Sequence, residues 1–258
     1  MDLRIRGKTA LITGGSRGIG LGVAKLLAEE GCNLHLVSRS ADNLDKARKD
    51  ILAAHKVEVT CHAADLSDSA VASQLSRELK GVDILINNAG SIPQGSLAKM
   101  DQAALEASWA LKLFGFLNMA REVYTAMCER RSGVIINVIG ASGARPRADY
   151  ISGSMANAAL IAMSRALGAE GPVYGVRVVG LNPAATETER QRVRWEAKAQ
   201  KELGDSNRWP ELTKGYPFGR LATVDEIASA IVFLASGRAS YITGTVLTVD
   251  GGRSFRGQ

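Results

Sequence analysis

Thr13-Gly14-Gly15-Ser16-Arg17-Gly18-Ile19-Gly20 is the stretch that decides the fold. It follows a β-prone apolar run, Lys8 to Thr13, and opens an amphipathic stretch from Ile19 to Glu30, in which Ile19, Val23, Leu26 and Leu27 share one helix face. Glycines where a strand turns into a helix allow a tight bend and close approach of the backbone to a ligand. The helix N-terminus behind them offers free N–H groups and the positive end of a dipole. A pyrophosphate suits such a place. The spacing is GxxxGxG, not the commoner GxGxxG, so the cluster alone is weak evidence and the rest of the chain must agree with it.

Outward from this turn, short β-branched runs alternate with longer amphipathic ones. Asn33–Val37, Val57–Ala63, Val82–Asn87, Gly133–Val138, Val176–Leu181 and Val246–Val249 read as further strands. Leu44–Ala54 and residues 103–128, 154–170 and 225–236 read as helices. Strands alternating with helices imply a parallel sheet covered on both faces, with right-handed crossovers. The 258 residues, 46% of them apolar, fit one doubly wound α/β domain, 1–258, with about seven strands. No apolar run approaches a membrane span and no secretory leader opens the chain, so neither a membrane nor export is expected. Cys32, Cys61 and Cys128 are odd in number and isolated, which suits a reducing, cytoplasmic setting. His35, His55 and His62 lack metal-ligand spacing, and no metal site is expected. The net charge of +6 comes from scattered residues, which argues for a phosphorylated cofactor or acidic substrate and against nucleic acid.

Four more features sit at strand ends, where a parallel sheet binds ligands. They are Asp65-Leu66, Asn87-Asn88-Ala89-Gly90, Asn182-Pro183 with Thr186 and Thr188 beyond, and Tyr241-Ile242-Thr243-Gly244 leading to Val249-Asp250-Gly251-Gly252. Together with the glycine turn, this set resembles the classical short-chain dehydrogenase/reductase (SDR) family from about Gly7 to Gly252. The resemblance implies a Rossmann-type fold, a nicotinamide dinucleotide and oxidoreductase chemistry on a carbonyl/alcohol pair. It assigns the cofactor to Gly14, Ser16, Arg17, Gly18, Ile19, Gly20, Ser38, Arg39, Asp65, Leu66, Asn88, Ala89, Gly90, Val138, Pro183, Thr186 and Thr188. It also implies a homo-oligomer, a tetramer or dimer.

Charge selects between the cofactors. An acid at Ser38 would bind a ribose 2′-hydroxyl and repel a phosphate. Here that position is neutral, Arg39 follows, and Arg17 lies in the glycine turn. Two guanidinium groups suit a 2′-phosphate, so NADP(H) is expected ahead of NAD(H).

The family's proton-transfer groups are an Asn, a Ser and a Tyr-x-x-x-Lys pair. Alignment through the flanking segments puts Lys112, Gly140, Gly153 and Asn157 at those four positions, so this chain resembles a divergent member without the standard tetrad. Substitutes lie close by. Tyr150, three residues before Gly153, shares its helix face if the helix extends that far. Ser142 shares the side of Gly140 if the backbone is extended there. Lys112 offers a cation for the tyrosine, and Asn157 can bond ribose hydroxyls. The expectation is a relocated acid site, Tyr150 with Lys112 and Ser142, in space opened by the two glycines. Trp109, Phe114 and Phe116 are expected to be core or interface residues. The alternative is an inactive NADP-binding sensor or partner protein. Residues 189–215, basic and carrying Trp195 and Trp209, correspond to a substrate lid. They suit an acidic or aromatic substrate or an acyl-CoA, although such a run is commonly the wet face of a helix.

Overall fold

The computed structural model describes residues 1–255. Seven strands form one parallel sheet: β1 (Thr9–Thr13), β2 (Asn33–Ser38), β3 (Val59–Ala63), β4 (Ile84–Asn87), β5 (Gly133–Val138), β6 (Val176–Pro183) and β7 (Val246–Val249). Their order is β3-β2-β1-β4-β5-β6-β7, with every neighbouring pair parallel. The central strands are apolar on both sides, as a sheet covered twice requires. One core layer joins Ile12, Val23, Leu27, Leu36, Ile86 and Ile231 beneath helices α1 (Gly18–Glu29), α2 (Ala41–Ala54) and α8 (Val224–Ala235). The other joins Leu11, Leu85, Met119, Val123 and Ile135 on the opposite face. It lies beneath α3 (Ser69–Glu78), α5 (Gly115–Glu129) and α6 (Ile151–Glu170). All seven strands coincide with those read from the sequence to within two residues.

Two helices escape the hydrophobic pattern. In α3 only Ala72, Leu75 and Ser76 are buried, a stripe too narrow to stand out. The helix is instead started by Asp68, whose carboxylate accepts from the N–H groups of Ala70 and Val71. The expected continuous helix 103–128 is divided into α4 (Gln102–Trp109), a π-helical turn at Ala110–Phe114, and α5. The wide turn rotates Lys112 inward, where it is 7% exposed. Its Nζ donates to Val138 O at 2.7 Å and lies 4.5 Å from the centre of the Phe116 ring. Phe116 is core, as expected. Phe114 is exposed, and Trp109 donates its indole N–H to Ser152 O at 3.2 Å.

A second buried polar chain ties the centre of the sheet to the helices. Asn87 Nδ2 donates to Asn137 Oδ1 at 3.1 Å, and Asn137 Nδ2 donates to Ser164 Oγ at 2.9 Å. Both ends of the Asn137 amide are thereby paired, as a buried polar group requires, while Asn87 Oδ1 has no partner among the described residues. Among the described residues no helix is long and apolar enough to cross a membrane, and no group of side chains is suited to a metal ion. His35 and His62 instead face each other across β2 and β3, with ring nitrogens 3.0 Å apart.

The buried Lys112 leaves a thermodynamic mark. Burial, and next the charge of Arg190, lower its pKa from 10.5 to about 7. Its native pKa lies below the unfolded value, so the unfolded chain binds the extra proton between those two pH values. Parental stability therefore rises with pH across that window, and the cost of burying the charge is fully present below it. Lys112→Met removes the slope. The difference in Tm, variant minus parent, should be most in the variant's favour near about pH 6 and shrink towards about pH 10. Thermal melts at several pH values check this, and a difference independent of pH would show that Lys112 is not charged at a cost.

Candidate active site

The order of the strands reverses between β1 and β4, which opens a crevice at their carboxyl ends. Thr13, the last residue of β1, closes its base. Its Oγ1 accepts from Asn88 N at 2.9 Å and from Ala89 N at 3.1 Å. Asn88 returns a bond from Nδ2 to Thr13 O at 3.1 Å. The glycine turn is thereby fastened to the Asn88-Ala89-Gly90 segment. Gly14 has φ +67°, and a side chain there would meet Asn88 Nδ2 at 2.9 Å. A Cβ on Gly20 would lie 2.2 Å from Gly14 O. Only glycines allow this loop to fold so closely against the N-terminus of α1.

Around that loop lie the other residues expected to hold a cofactor. Arg17 is exposed; its guanidinium donates to Asn43 Oδ1 at 2.7 Å and lies 3.7 Å from Glu189 Oε2. Ser38 ends β2, and Arg39 beyond it is exposed and acts electrostatically on Asp65. Asp65 lies just past β3; its Oδ1 accepts from Ser67 N and Oγ at 3.0 and 2.7 Å, and these bonds hold its carboxyl below the usual range. Leu66 is buried beside it. Ser16 and Ile19 are half-buried in the turn. Thr188 caps helix α7 (Glu189–Leu203), and its methyl would meet a Cβ on Gly18 at 3.2 Å. Thr186 is buried with its hydroxyl on Ala184 O, and Pro183 ends β6. Arg17 and Gly18 of the turn thus meet Glu189 and Thr188 at the start of α7.

Deeper in, the residues expected to carry chemistry are arranged differently from the expectation. Gly140 and Gly153 do not leave open space, because neighbouring side chains fill it. A Cβ on Gly153 would lie 2.1 Å from both Cε1 and Cζ of Tyr150 and 2.6 Å from its hydroxyl oxygen. A Cβ on Gly140 would lie 2.7 Å from Asn157 Nδ2. Tyr150 is not helical: it is the N-cap of α6, with φ −143° and ψ 42°. Ser154 fixes it there, its N–H and hydroxyl both bonding to Tyr150 O. Residues 141–143 form a 3-10 turn, not the extended backbone assumed. Ser142 nevertheless reaches the site, its hydroxyl accepting from Asn157 Nδ2 at 2.9 Å.

Lys112 is not brought to Tyr150, since its ammonium is committed to Val138 O beneath the site. Burial raises the Tyr150 pKa, and the opposing cations are Arg190 and Arg194 of α7, with Arg147. Sequence reasoning placed Arg190 in the basic lid, as a residue for an acidic substrate or as the wet face of a helix, and made no reading of Arg147.

The residues fit a dinucleotide. The glycine turn forms a cradle that any Cβ would fill, and Asn157, 4% exposed, has an Oδ1 with no partner among the described residues. A buried acceptor left over beside Ser142 suits a hydroxyl-bearing ligand.

The comparisons agree with this geometry. A family model described as enoyl-(acyl carrier protein) reductase matches residues 14–254. The chain is 32% identical to 2,3-dihydro-2,3-dihydroxybenzoate dehydrogenase of Bacillus subtilis over 97% of each chain. It is 33% identical to 3-oxoacyl-[acyl-carrier-protein] reductase FabG of Chlamydia muridarum, over 98% of this chain and 99% of that one. Among solved structures, L-sorbose reductase from Gluconobacter frateurii, complexed with NADPH and L-sorbose, superposes with a TM-score of 0.93 at 29% identity over 99% of both chains. A glycine cradle at the switch point of a seven-stranded parallel sheet, matched along nearly its whole length by such relatives, makes this protein a member of the short-chain dehydrogenase/reductase family of oxidoreductases.

Proposed function

We propose that the protein is an NADP(H)-dependent oxidoreductase that interconverts a carbonyl compound and its alcohol, with Tyr150 as the proton donor. One observation carries this reading: the Tyr150 ring fills the volume in which a side chain at position 153 would begin. On the alignment above, position 153 is where the family's tyrosine stands. The phenol therefore enters the site from one helix turn earlier, and the glycine is what admits it.

The chemistry needs a hydride at the carbonyl carbon and a proton at its oxygen. Bound NADPH supplies the hydride. Tyr150 holds the proton at Oη, where burial keeps the phenol protonated at neutral pH, and Arg190 and Arg194 steady the phenolate left behind. Ser142 Oγ accepts from Asn157 Nδ2, which turns the hydroxyl proton towards a substrate oxygen and fixes the orientation of the carbonyl. Asn157 Oδ1 is left for a ribose hydroxyl. Lys112 is a positioning residue, holding the end of β5 at Val138 O. Residues 189–215 act as the lid. The exposed Phe114, Leu117 and Met155 on the α5 and α6 side support assembly as a homodimer or tetramer.

Arg17 and Arg39 give the site its preference for a 2′-phosphate, and two relatives point the same way: the sorbose reductase structure contains NADPH, and an NADPH-dependent reductase, BacG, of Bacillus subtilis is 31% identical over 95% of this chain. Arg39→Asp should reverse the ratio of NADPH to NADH affinity, as read by fluorescence titration of both. An unchanged ratio would remove Arg39 from phosphate recognition.

Tyr150→Phe should lower turnover of a screened panel of ketones roughly 10²–10⁴-fold while NADPH affinity stays at the parental value, because only the hydroxyl is lost. Parental turnover in the variant would remove Tyr150 as the acid. A parent inactive on the whole panel but binding NADPH would favour the sensor reading.

The cations should also set the pH profile. They favour the phenolate, so Arg190→Gln raises the Tyr150 pKa further. The alkaline fall of the reduction rate, which reports loss of the phenol proton, should move to higher pH in the variant. A limb that stays in place or moves down would separate Arg190 from the phenol.

A further inference from the structure

The lid divides its basic residues into two kinds. Arg192 pairs with Glu196 at 3.1 Å, Lys198 with Glu202 at 3.9 Å and Arg208 with Glu211 at 2.8 Å. Each pair spans three or four residues and lies on the outer surface, where such bridges are common and weak. Arg147, beside Tyr150, is likewise neutralised by Asp149, its Nε donating to Oδ1 at 3.0 Å. Arg190 and Arg194 differ. They are one helix turn apart in α7, and neither has a carboxylate partner among the described residues. Four residues on from them stand Arg194 and Lys198, both cations, and Glu187, three residues before Arg190, makes no salt bridge with it.

Both arginines are exposed, and they follow directly on the start of α7 at the glycine turn. Thr188, which caps α7, closes on Gly18 of the glycine turn, so the helix starts at the crevice. The charges of Arg190 and Arg194 act on the Tyr150 hydroxyl, and that of Arg190 also acts on the buried ammonium of Lys112. Like charges gathered around a half-buried phenol raise one another's energy, and a bound anion relieves all of them. Trp195, which follows Arg194 in the helix, packs edge-on against Tyr216 with ring centres 5.8 Å apart and has the Lys198 ammonium 5.1 Å from its ring centre.

We infer that Arg190 and Arg194 bind an anionic group of the substrate, and that this enzyme acts on a carboxylate-bearing carbonyl/alcohol pair, an oxo acid and its hydroxy acid, rather than on a neutral ketone or sugar. The inference rests on the reading of Tyr150 as the proton donor, because the carboxylate and the carbonyl must share one site. Planar guanidinium groups fit a carboxylate with two parallel bonds, which adds orientation to attraction. In this arrangement the carboxylate fixes one end of the substrate to α7 and leaves the carbonyl oxygen at Tyr150.

The test uses the full-length protein saturated with NADP+ and two probes that cannot react, 4-phenylbutanoate and its neutral amide, titrated by calorimetry. The parent should bind the acid about tenfold or more tightly than the amide, the worth of one charge-assisted hydrogen bond. The double variant Arg190→Gln, Arg194→Gln should bind both alike while keeping parental NADPH affinity, which also shows that it is folded. Lysine at both positions should recover part of the preference. The inference is overturned if the parent does not distinguish acid from amide, including by binding neither, or if the double variant retains the preference. It is also overturned if the double variant loses affinity for NADPH instead, since the arginines would then serve the cofactor's phosphates. Binding needs no proton transfer, so an acid preference that persists in Tyr150→Phe, in a parent unable to reduce 2-oxo-4-phenylbutanoate, would sink the catalytic reading and leave the anion site standing.

Discussion

The ring of Tyr150 and a side chain at position 153 would occupy the same volume, and much of the site follows from that exclusion. With glycine at 153 the phenol lies across the first turn of α6, held by its own carbonyl on Ser154. Gly140 and Asn157 repeat the relation one layer away, with Asn157 Nδ2 where a residue at 140 would place its Cβ. Each glycine is matched to the larger group that fills its space. The four positions therefore form two coupled pairs, and a single change at any of them disturbs its partner. This is how a packed interior answers substitution, by rearrangement at native density and not by leaving voids.

Electrostatics imposes the second constraint. The charge of Arg190 acts on both Lys112 and Tyr150, that of Arg194 acts on Tyr150, and neither arginine has a carboxylate partner among the described residues. Desolvation makes this costly for the ligand-free protein. Sites that bind and transform anions accept such costs, because the ligand removes them on arrival. The sheet beneath is largely apolar on both faces, and these charges lie at the crevice and on α7, the element that begins at the glycine turn.

How much of this was legible in the sequence depended on the range of the interaction involved. Strand positions and the glycine turn are local, and the β-branched runs and the GxxxGxG spacing placed them within two residues. The division of the long helix at Lys112 was not legible, because a π-helical turn preserves composition and changes only the phase of the helix. At Gly153 the room expected for the Tyr150 ring is taken by that ring, whereas the space at Gly140, read as open, is filled by Asn157, because which side chain enters a gap is a tertiary matter. The approach of Tyr150 to position 153 was legible, since a tyrosine three residues from a glycine is a local signal, and its ring does fill that space. Lys112 was expected beside Tyr150, but its ammonium bonds Val138 O, and the charges that act on the phenol are those of Arg190, Arg194 and Arg147. A sequence signal for Arg190 did exist: among the closely spaced lid cations Arg192 and Lys198 have an acid four residues on, whereas Arg190 and Arg194 have Arg194 and Lys198. Reading that pattern required asking what each cation lacks, not how many there are.

The central claim is that the phenol of Tyr150 works from the space above Gly153, and Gly153→Ala tests it most directly. Alanine in a helix normally stabilises it by about 0.5–1 kcal/mol relative to glycine, so the helix itself should survive. The new methyl would stand 2.1 Å from the tyrosine ring and must displace it. The account predicts that ketone reduction falls roughly 10²–10⁴-fold, as when an acid is lost, while NADPH binds with parental affinity. A Gly153→Ala enzyme that turns over at the parental rate would contradict it.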